Sequence, residues 1–554
     1  MQPVSVQTRV GEVVAAIDGA IYNLDELRAS LRAHGVRQEI GSDATVLAHA
    51  FAVWGDDFVT RVDGMFALVI WETATQRLLL YRDRFGMKPL YYYRLRDGIA
   101  FASEPKGIMA HHGFRARLEL RAMPMALQPR LALPGETPLS GLHEVAAAHY
   151  VVVTPERGPR AVRYWRLTSA SHTDSYEDTV VRVRGLLTRS VANQLPSGAE
   201  CAAMLSGGLD SSAVAALASA ELRRRREAPL RTFCVAFEGA EDTFVSTDLR
   251  PDIDAPYAEM AAQHFGADHN VTRLNMADII AAVPHTRAAR DLPGWGQFDA
   301  SMYLLFQHMT EGTTTAFSGE AADEFFGGYP YFFRPDMISA ETFPWLGDAP
   351  RLSHFLSPEI RSVVDPLEDE KARYSQFLRD VPRLEGEDAT AARMREVLFL
   401  GMCGPLSVIL DRKDRMSMAS GVEVRLPFCD HKLVEYVWNI PWHMKARGGL
   451  KGLLRDAVAD LLPASTVNRR KSAYPHLQDQ RYDAKLLQAA SRILQDDRTA
   501  VAPLFDVPAM TTLIDKAAQG DLGTMLPGGA SPAQLFVHIV ELETWMQAHS
   551  VSVS

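Results

Sequence analysis

Cysteine is scarce in this chain. None occurs in the first 200 residues, and the four in the whole chain of 554 (Cys201, Cys234, Cys403 and Cys429) show no C-x-x-C spacing. Scattered thiols of this kind exclude a disulfide framework and a cysteine zinc site, and they fit a reducing cytosol. Long apolar runs are missing too: stretches such as residues 65–71 fall far short of the roughly 20 residues that span a bilayer. No segment has the form of a signal peptide. Basic residues are in deficit, 58 Lys and Arg against 68 Asp and Glu, for a net charge of −10. That removes the basic face a nucleic-acid partner would require. The arginine run at residues 223–226 reads as a solvated helix end, where cations oppose the dipole. No G-x-x-x-x-G-K-[ST] occurs, so there is no Walker A loop, and no internal repeat or low-complexity tract is present. The expectation is a cytoplasmic protein with neither membrane nor nucleic-acid partner. At 554 residues it is too long for one core and should hold two or three domains.

What is present centres on Ala202-Ala203-Met204-Leu205-Ser206-Gly207-Gly208-Leu209-Asp210-Ser211-Ser212. A short apolar run, readable as a buried strand, meets a Ser-Gly-Gly turn, and a helical pattern over residues 211–220 follows. Adjacent glycines let backbone approach a ligand closely. The helix start offers unpaired N–H donors and the positive end of a dipole. Together they form an anion cradle suited to phosphate or pyrophosphate. Asp210 stands where a bound Mg²⁺ needs an oxygen ligand. A strand-to-helix turn without a ligand would use similar residues, but the full seven-residue phrase is more specific than that.

SGGLDSS resembles the pyrophosphate-binding loop of the PP-loop ATP pyrophosphatases, whose members include asparagine, GMP and NAD synthetases. The resemblance implies cleavage of ATP to AMP and pyrophosphate, with Leu205, Ser206, Gly207, Gly208, Asp210, Ser211, Ser212 and Val235 at the nucleotide. Around the loop, a helix over 175–194, a β-rich run over 230–237 and a helix over 256–265 alternate as in a parallel sheet wrapped by helices. Ligands of such sheets bind beyond the strand carboxyl ends. A second apolar run meets a Ser-Gly turn at Thr315-Ala-Phe-Ser318-Gly319-Glu320-Ala321-Ala322-Asp323-Glu324, now followed by three acids within five positions. Clustered acids repel, and a cation or a substrate amine supplies the compensation. The phrase is similar to the SGEG[AS]DE-x-FGGY of asparagine synthetases, with Ala321 replacing the commoner glycine. By that resemblance Asp323 joins Asp210 on Mg²⁺, Ser318 and Gly319 lie at the nucleotide, and Glu320 takes part in amine attack. β-Lactam synthetases carry Tyr at that position.

Before residue 165, alternating and apolar runs over 13–17, 65–71, 77–81, 90–93, 99–102 and 150–153 read as a largely antiparallel sheet. Helical patterns over 24–33 and 44–54 interrupt them, the second capped by Ser42-Asp43. The tyrosines at 91–93 read as strand packing. Asp18-Gly19-Ala20-Ile21-Tyr22-Asn23, Gly41-Ser42-Asp43, Asp63-Gly-Met-Phe-Ala67, Arg82-Asp-Arg-Phe-Gly-Met-Lys-Pro-Leu-Tyr91 and Phe101-Ala-Ser-Glu-Pro-Lys106 resemble the Ntn-type glutaminase domain of class II amidotransferases. The departures carry more information. That family opens Met-Cys-Gly, its cysteine being the nucleophile, whereas this chain opens Met1-Gln2 and joins the pattern several dozen residues late. The implied losses are the first strands and a substrate-binding arginine. A misplaced start codon would explain the missing cysteine. It would not explain Asp18-Gly19-Ala20 in place of the Asn-Gly-Glu that grips glutamine, and only Asp43 survives from that pocket. Without nucleophile or orienting partners, the expectation is a degenerate, truncated glutaminase-like domain.

The expected division is 1–166 glutaminase-like, 167–174 linker (its Ser and Thr clustered over 168–173), and 175–548 asparagine-synthetase-like ATP pyrophosphatase. Later phrases, Asp411-Arg412-Lys413-Asp414-Arg415 and Glu423-Val-Arg425-Leu-Pro427-Phe, resemble the family and read as architecture first, substrate-shaping second. Lys451 and Arg455 lie four apart, as on one helix face, and by resemblance Lys451 faces the phosphates. Asn468-Arg469-Arg470-Lys471 resembles a basic loop that orders when ligand binds. The implied enzyme is a ligase using ATP and Mg²⁺ to adenylate a small carboxylic acid, aspartate or a relative, and to pass it to ammonia or another amine. A separate glutaminase would be an admissible partner, and a homodimer is common among related enzymes. Two other readings stay open: a β-lactam-synthetase-like or peptide-cyclising ligase of natural-product biosynthesis, and a non-catalytic binding or regulatory homologue.

Overall fold

The computed structural model describes residues 2–8, 11–37, 41–196, 201–346, 351–520 and 531–554. The chain packs as two compact units: Met1–Arg115, Ala132–Thr168 and Cys429–Glu435 form one, and Ala116–Leu131, Ser169–Phe428 and Tyr436–Ser554 the other. The expected division at 1–166, 167–174 and 175–548 therefore describes chain order, while packing assigns two short segments across it. Among the described residues, no helix is long and apolar enough to cross a membrane.

Six strands of the described first unit form one antiparallel sheet, ordered Val4–Thr8, Gly11–Ile21, Gly64–Glu72, Arg77–Arg82, His149–Thr154, Arg157–Arg163. Its central strands are covered on both faces, which is why Arg77–Arg82 is buried at five consecutive positions and reads in sequence as a continuous run. On one face the helices Leu24–Ala33 and Asp43–Trp54 set Leu27, Leu31, Val46, Leu47 and Phe51 against Val13, Phe66, Leu68, Ile70 and Tyr81. On the other, Ala67, Leu78, Leu80, Leu90, Val145 and Val151 close a second core. Ser42 caps the second helix as expected, accepting from the Thr45 N–H at 3.3 Å. Beyond the Arg77–Arg82 strand, fully buried Asp83 accepts N–H bonds from Phe66, Phe85, Met87 and Lys88. The 82–91 phrase is thus a polar knot that satisfies buried backbone.

Five described strands of the second unit form an all-parallel sheet in the order Asp268–Leu274, Arg231–Phe237, Cys201–Met204, Thr315–Phe317, Glu423–Arg425. Chain order reverses beside Cys201–Met204, and in such sheets ligands bind at the carboxyl ends of the strands on either side of the reversal, here Cys201–Met204 and Thr315–Phe317. The helices Tyr176–Gln194, Leu209–Arg225, Ala255–Phe265, Gln297–Met309 and Pro405–Met418 wrap the sheet. The second of these starts two residues earlier and ends five later than the 211–220 pattern suggested. Its arginine run is tied down in part: Arg223 donates to the Phe265 carbonyl, and Arg225 to those of Ala192 and Leu195. The solvated-end expectation is corrected for those two residues, because the helix end packs beside carbonyls that need donors. The borrowed segment Ala116–Leu131 pairs Arg117–Leu118 in parallel with Ser552–Val553 and buries Leu118, Met123, Leu127 and Leu131.

Candidate active site

Two Ser-Gly loops leave neighbouring strands and interlock. Leu205 extends its strand by donating to the Phe233 carbonyl at 2.8 Å. The chain then turns at Gly207, whose φ of +70° and contact with the Tyr257 backbone leave no room for a side chain. A Cβ on Gly319 would lie 2.5 Å from the Ser211 nitrogen and 2.6 Å from the Asp210 carbonyl carbon. Only glycine allows that approach. Ser206 and Ser211 hydroxyls are 3.1 Å apart, and the Ser206 N–H donates to the Ser211 Oγ at 3.2 Å. Gly208 caps the helix without a side-chain bond, leaving its first N–H groups available to an anion. Ser212 is fully buried, its Oγ without a partner among the described residues. Val235 lies in the adjacent strand, 5% exposed. Ser318 is held at the second strand end by donating its N–H to the Arg425 carbonyl at 3.0 Å, and the Glu320 N–H reaches Ser318 Oγ at 3.4 Å.

The charges converge here. Lys451 Nζ lies 2.5 Å from Asp210 Oδ2 and 2.7 Å from Asp323 Oδ1, while Lys471 pairs with the other Asp323 oxygen. Burial alone would raise Asp323, but the Lys451 and Lys471 ammoniums outweigh it and hold that carboxyl below the usual range. Burial raises Asp210, and the nearby Asp323 charge adds to the rise. Lys451 loses ground to burial and regains more from the two carboxylates, so it stays firmly protonated. It reaches them from a left-handed backbone (φ +50°) at the cap of Gly452–Val458. The expectation of one helix face shared with Arg455 is corrected: Lys451 precedes the helix, and Arg455 donates to the Gly448 carbonyl at 2.7 Å. Ala321, where the resembling family has glycine, is likewise left-handed at φ +76°.

Glu320 has a partner that sequence reasoning passed over. Lys413, 1% exposed, sets Nζ 3.1 Å from Glu320 Oε1, with Met204 Sδ at 3.2 Å and the Phe306 ring centroid at 5.6 Å. The other carboxylate oxygen, Oε2, is buried without a partner among the described residues. The signal is the 411–415 phrase, which reads in sequence as architecture first and substrate-shaping second. Arg469 clamps the first loop, donating to the Ser206 carbonyl and to Asp254 Oδ1, each at 2.7 Å, and stacking on Tyr257 at 4.1 Å. Arg469 and Lys471 are thus each paired with a carboxylate. Asp254 and Asp323 supply the anchoring charge.

Asp210 Oδ1 is buried with no partner among the described residues, and Asp210 and Asp323 share one cation. A carboxylate pair with a spare oxygen fits a divalent ion arriving with a polyphosphate. In the first unit, Asp18 pairs with nearly buried Lys88 at 3.1 Å, and Gly19 (φ +122°) presses on the Met65 carbonyl. Ala20 lies opposite Met65 on the same strand pair, and Asp43 opens the Asp43–Trp54 helix with no side-chain partner among the described residues. No hydrogen bond or ion pair brings Asp43 together with residues 18–20 among the described residues.

The glutamine amidotransferase domain family matches residues 1–165 and the asparagine synthase family residues 182–547. Asparagine synthetase [glutamine-hydrolyzing] 3 of Bacillus subtilis is 33% identical over 559 residues, covering 100% of this chain and 90% of that protein. Asparagine synthetase [glutamine-hydrolyzing] 1 of the same organism is 26% identical, covering 86% and 77%. A fungal relative, Amidase chry2 of Gibberella zeae, is 24% identical, covering 84% and 77%. With the parallel sheet and the antiparallel amidotransferase-like domain in place, the chain belongs to the asparagine synthase family and is an ATP-dependent carbon–nitrogen ligase that forms AMP and pyrophosphate.

Proposed function

We propose that the second unit adenylates a small carboxylic acid, aspartate or a close relative, and transfers the acyl group to ammonia or another external amine, while the first unit hydrolyses no glutamine. The supporting observation is the convergence at the carboxyl ends of Cys201–Met204 and Thr315–Phe317 of the interlocked glycine loops, the Asp210–Lys451–Asp323 cluster and Glu320. The acid's carboxylate attacks the α-phosphorus of ATP, giving an acyl-adenylate and pyrophosphate. The N–H groups and hydroxyls of residues 206–212 would hold the pyrophosphate, and the Lys451 and Lys471 ammoniums stabilise its developing charge. Mg²⁺, when bound through Asp210 and Asp323, would screen phosphate charge at the same place. Glu320 Oε2, without a partner among the described residues, would accept a proton from the attacking amine as AMP leaves. The acyl-adenylate survives to meet the amine only if water is kept out.

In the first unit, the Asp18–Lys88 pair supports the loss of glutaminase activity. The position that would orient glutamine holds an acid committed to a buried ammonium, and Ala20 offers no polar group. Nitrogen then comes as free ammonia, as an amine, or from a partner glutaminase. Acid-dependent ATP–pyrophosphate exchange tests the reading. Exchange should disappear in Asp210→Ala and in Asp323→Ala, and wild-type rates in either would sink it. Product formed from glutamine by the purified chain would refute the inactive first unit.

A further inference from the structure

Lys413 compensates the charge of Glu320 and engages only half of its carboxylate. Its Nζ lies 3.1 Å from Glu320 Oε1, while Oε2 is buried without a partner among the described residues. Two further elements grip the same ammonium. Met204 Sδ, at the end of the Cys201–Met204 strand, lies at 3.2 Å, and the Phe306 ring, on the Gln297–Met309 helix, has its centroid at 5.6 Å. Lys413 itself projects from the Pro405–Met418 helix and is 1% exposed. Burial lowers its ammonium, and the Glu320 charge opposes that. A side chain so enclosed has one place for its charge, and that place fixes the carboxylate it meets.

Other well-covered acids of this unit spend both oxygens on their cation. Arg395 donates to Glu387 Oε1 at 2.7 Å and Oε2 at 2.9 Å. Arg287 donates to Glu541 Oε1 at 2.7 Å and Oε2 at 3.0 Å. A guanidinium forks onto a carboxylate and occupies it, whereas an ammonium is a point charge that can hold one oxygen. Lysine at 413 therefore supplies the compensating charge and leaves Oε2 open. A buried oxygen left open costs stability. Such a cost is kept where the partner arrives with the substrate.

We propose that Lys413 is a positioning residue for amide formation, holding the Glu320 carboxylate by Oε1 so that Oε2 meets the incoming nitrogen. The proposal rests on the acyl-adenylate reading above. In that step the amine nitrogen bonds to the acyl carbon, and the bond from that carbon to the AMP oxygen breaks. Its electron pair leaves with AMP, and one N–H proton passes to Oε2. Lys413 acts through Glu320, so it serves this step and not adenylation.

The test uses the full chain, with L-aspartate or L-glutamate as the acid and ammonium chloride as the nitrogen source. ATP–pyrophosphate exchange reports adenylation, and amide product reports the second step. Lys413→Met should cut amide formation about 100-fold or more, within the range for a general base, while exchange falls far less. Lys413→Arg keeps the charge but can fork onto both oxygens. It should hold the Tm of the ligand-free chain near that of wild type and still lose amide formation. Lys413→Met should lower that Tm, and Glu320→Gln added to it should restore part. Equal falls of exchange and amide formation in Lys413→Met, full amide formation by Lys413→Arg, or additive Tm changes would each overturn the proposal. So would a wild type that runs exchange and makes no amide. If wild type supports no exchange with either acid, the adenylation reading fails and the Tm changes decide the pair alone. Non-additive changes then uphold the hold of Lys413 on Glu320, and additive ones overturn it.

Discussion

Lys451 sits between two carboxylates, 15% exposed each, and is the cation paired with Asp210 among the described residues, whereas Asp323 also has Lys471. Removing its ammonium leaves both charges buried, a change that typically costs about 3–5 kcal/mol. Lys451→Met should therefore lower the Tm of the ligand-free protein and cut exchange by roughly 10²–10³-fold, the scale of losing one electrostatic stabiliser. Added Mg²⁺ should restore part of the Tm, because a divalent ion can replace the ammonium between the acids. A Tm indifferent to both changes would show that the contacts do not matter. Glu324 titrates in the opposite sense. Burial, then the Asp323 charge, pushes its carboxyl up to about 8, from 4.5. A raised folded-state pKa gives stability that is complete below about pH 4.5 and is lost as pH climbs through about 8. Glu324→Gln keeps an acceptor for the Tyr329 hydroxyl and removes that titration. Its chemical-denaturation midpoint should change less than wild type's between pH 5 and 8, with the variant gaining on wild type toward pH 8. A parallel pH profile in the two proteins would refute the shift. At this scale Asp210, Asp323 and Lys451 were legible as candidates by resemblance, and their side chains meet. The Glu320–Lys413 pair was not, since 93 positions of chain separate its members and local pattern carries no information on contacts at that distance.

Among the elements, the two longer helices of the first unit were readable to within one residue. The Leu24–Ala33 helix matches its pattern, and Ser42 caps Asp43–Trp54 as its position implied. The Leu209–Arg225 helix outran its pattern because it is buried almost all round, with Ala213 to Leu217 enclosed, so no stripe marks its ends. Motif glycines were legible as close approaches, though the protein neighbour of Gly319, Ser211 of the other loop, was not. Gly319→Ala is the sharpest test of that interlock. With a Cβ 2.5 Å from backbone nitrogen, one loop must move. Overpacking of this kind costs about 1–3 kcal/mol, and the N–H groups around residues 206–212 lose their alignment. Exchange should fall at least tenfold while the far-UV circular dichroism stays native. Unimpaired exchange would mean that the loops tolerate separation.

Over the whole molecule, chain order and packing disagree at two short segments that sequence pattern does not mark, Ala116–Leu131 and Cys429–Glu435. Ala116–Leu131 lies inside the stretch that matches the amidotransferase domain, residues 1–165, yet it packs with the synthetase unit. Its Leu118, Met123, Met125, Leu127 and Leu131 are each at most 4% exposed. Their hydrophobicity shows that they are buried and cannot show in which core. At about 1.5–3 kcal/mol per fully buried apolar side chain, these five contribute of the order of 10 kcal/mol, comparable with the whole stability of a domain. A fragment of residues 169–554 should therefore be insoluble or denature well below the full chain, although it holds every residue of the Asp210–Lys451–Asp323 cluster. Joining residues 116–131 ahead of residue 169 through a flexible linker should recover solubility and a cooperative thermal transition. Pyrophosphate exchange should return with them. A 169–554 fragment as stable as the full chain would show instead that the borrowed segment is a passenger on the synthetase unit.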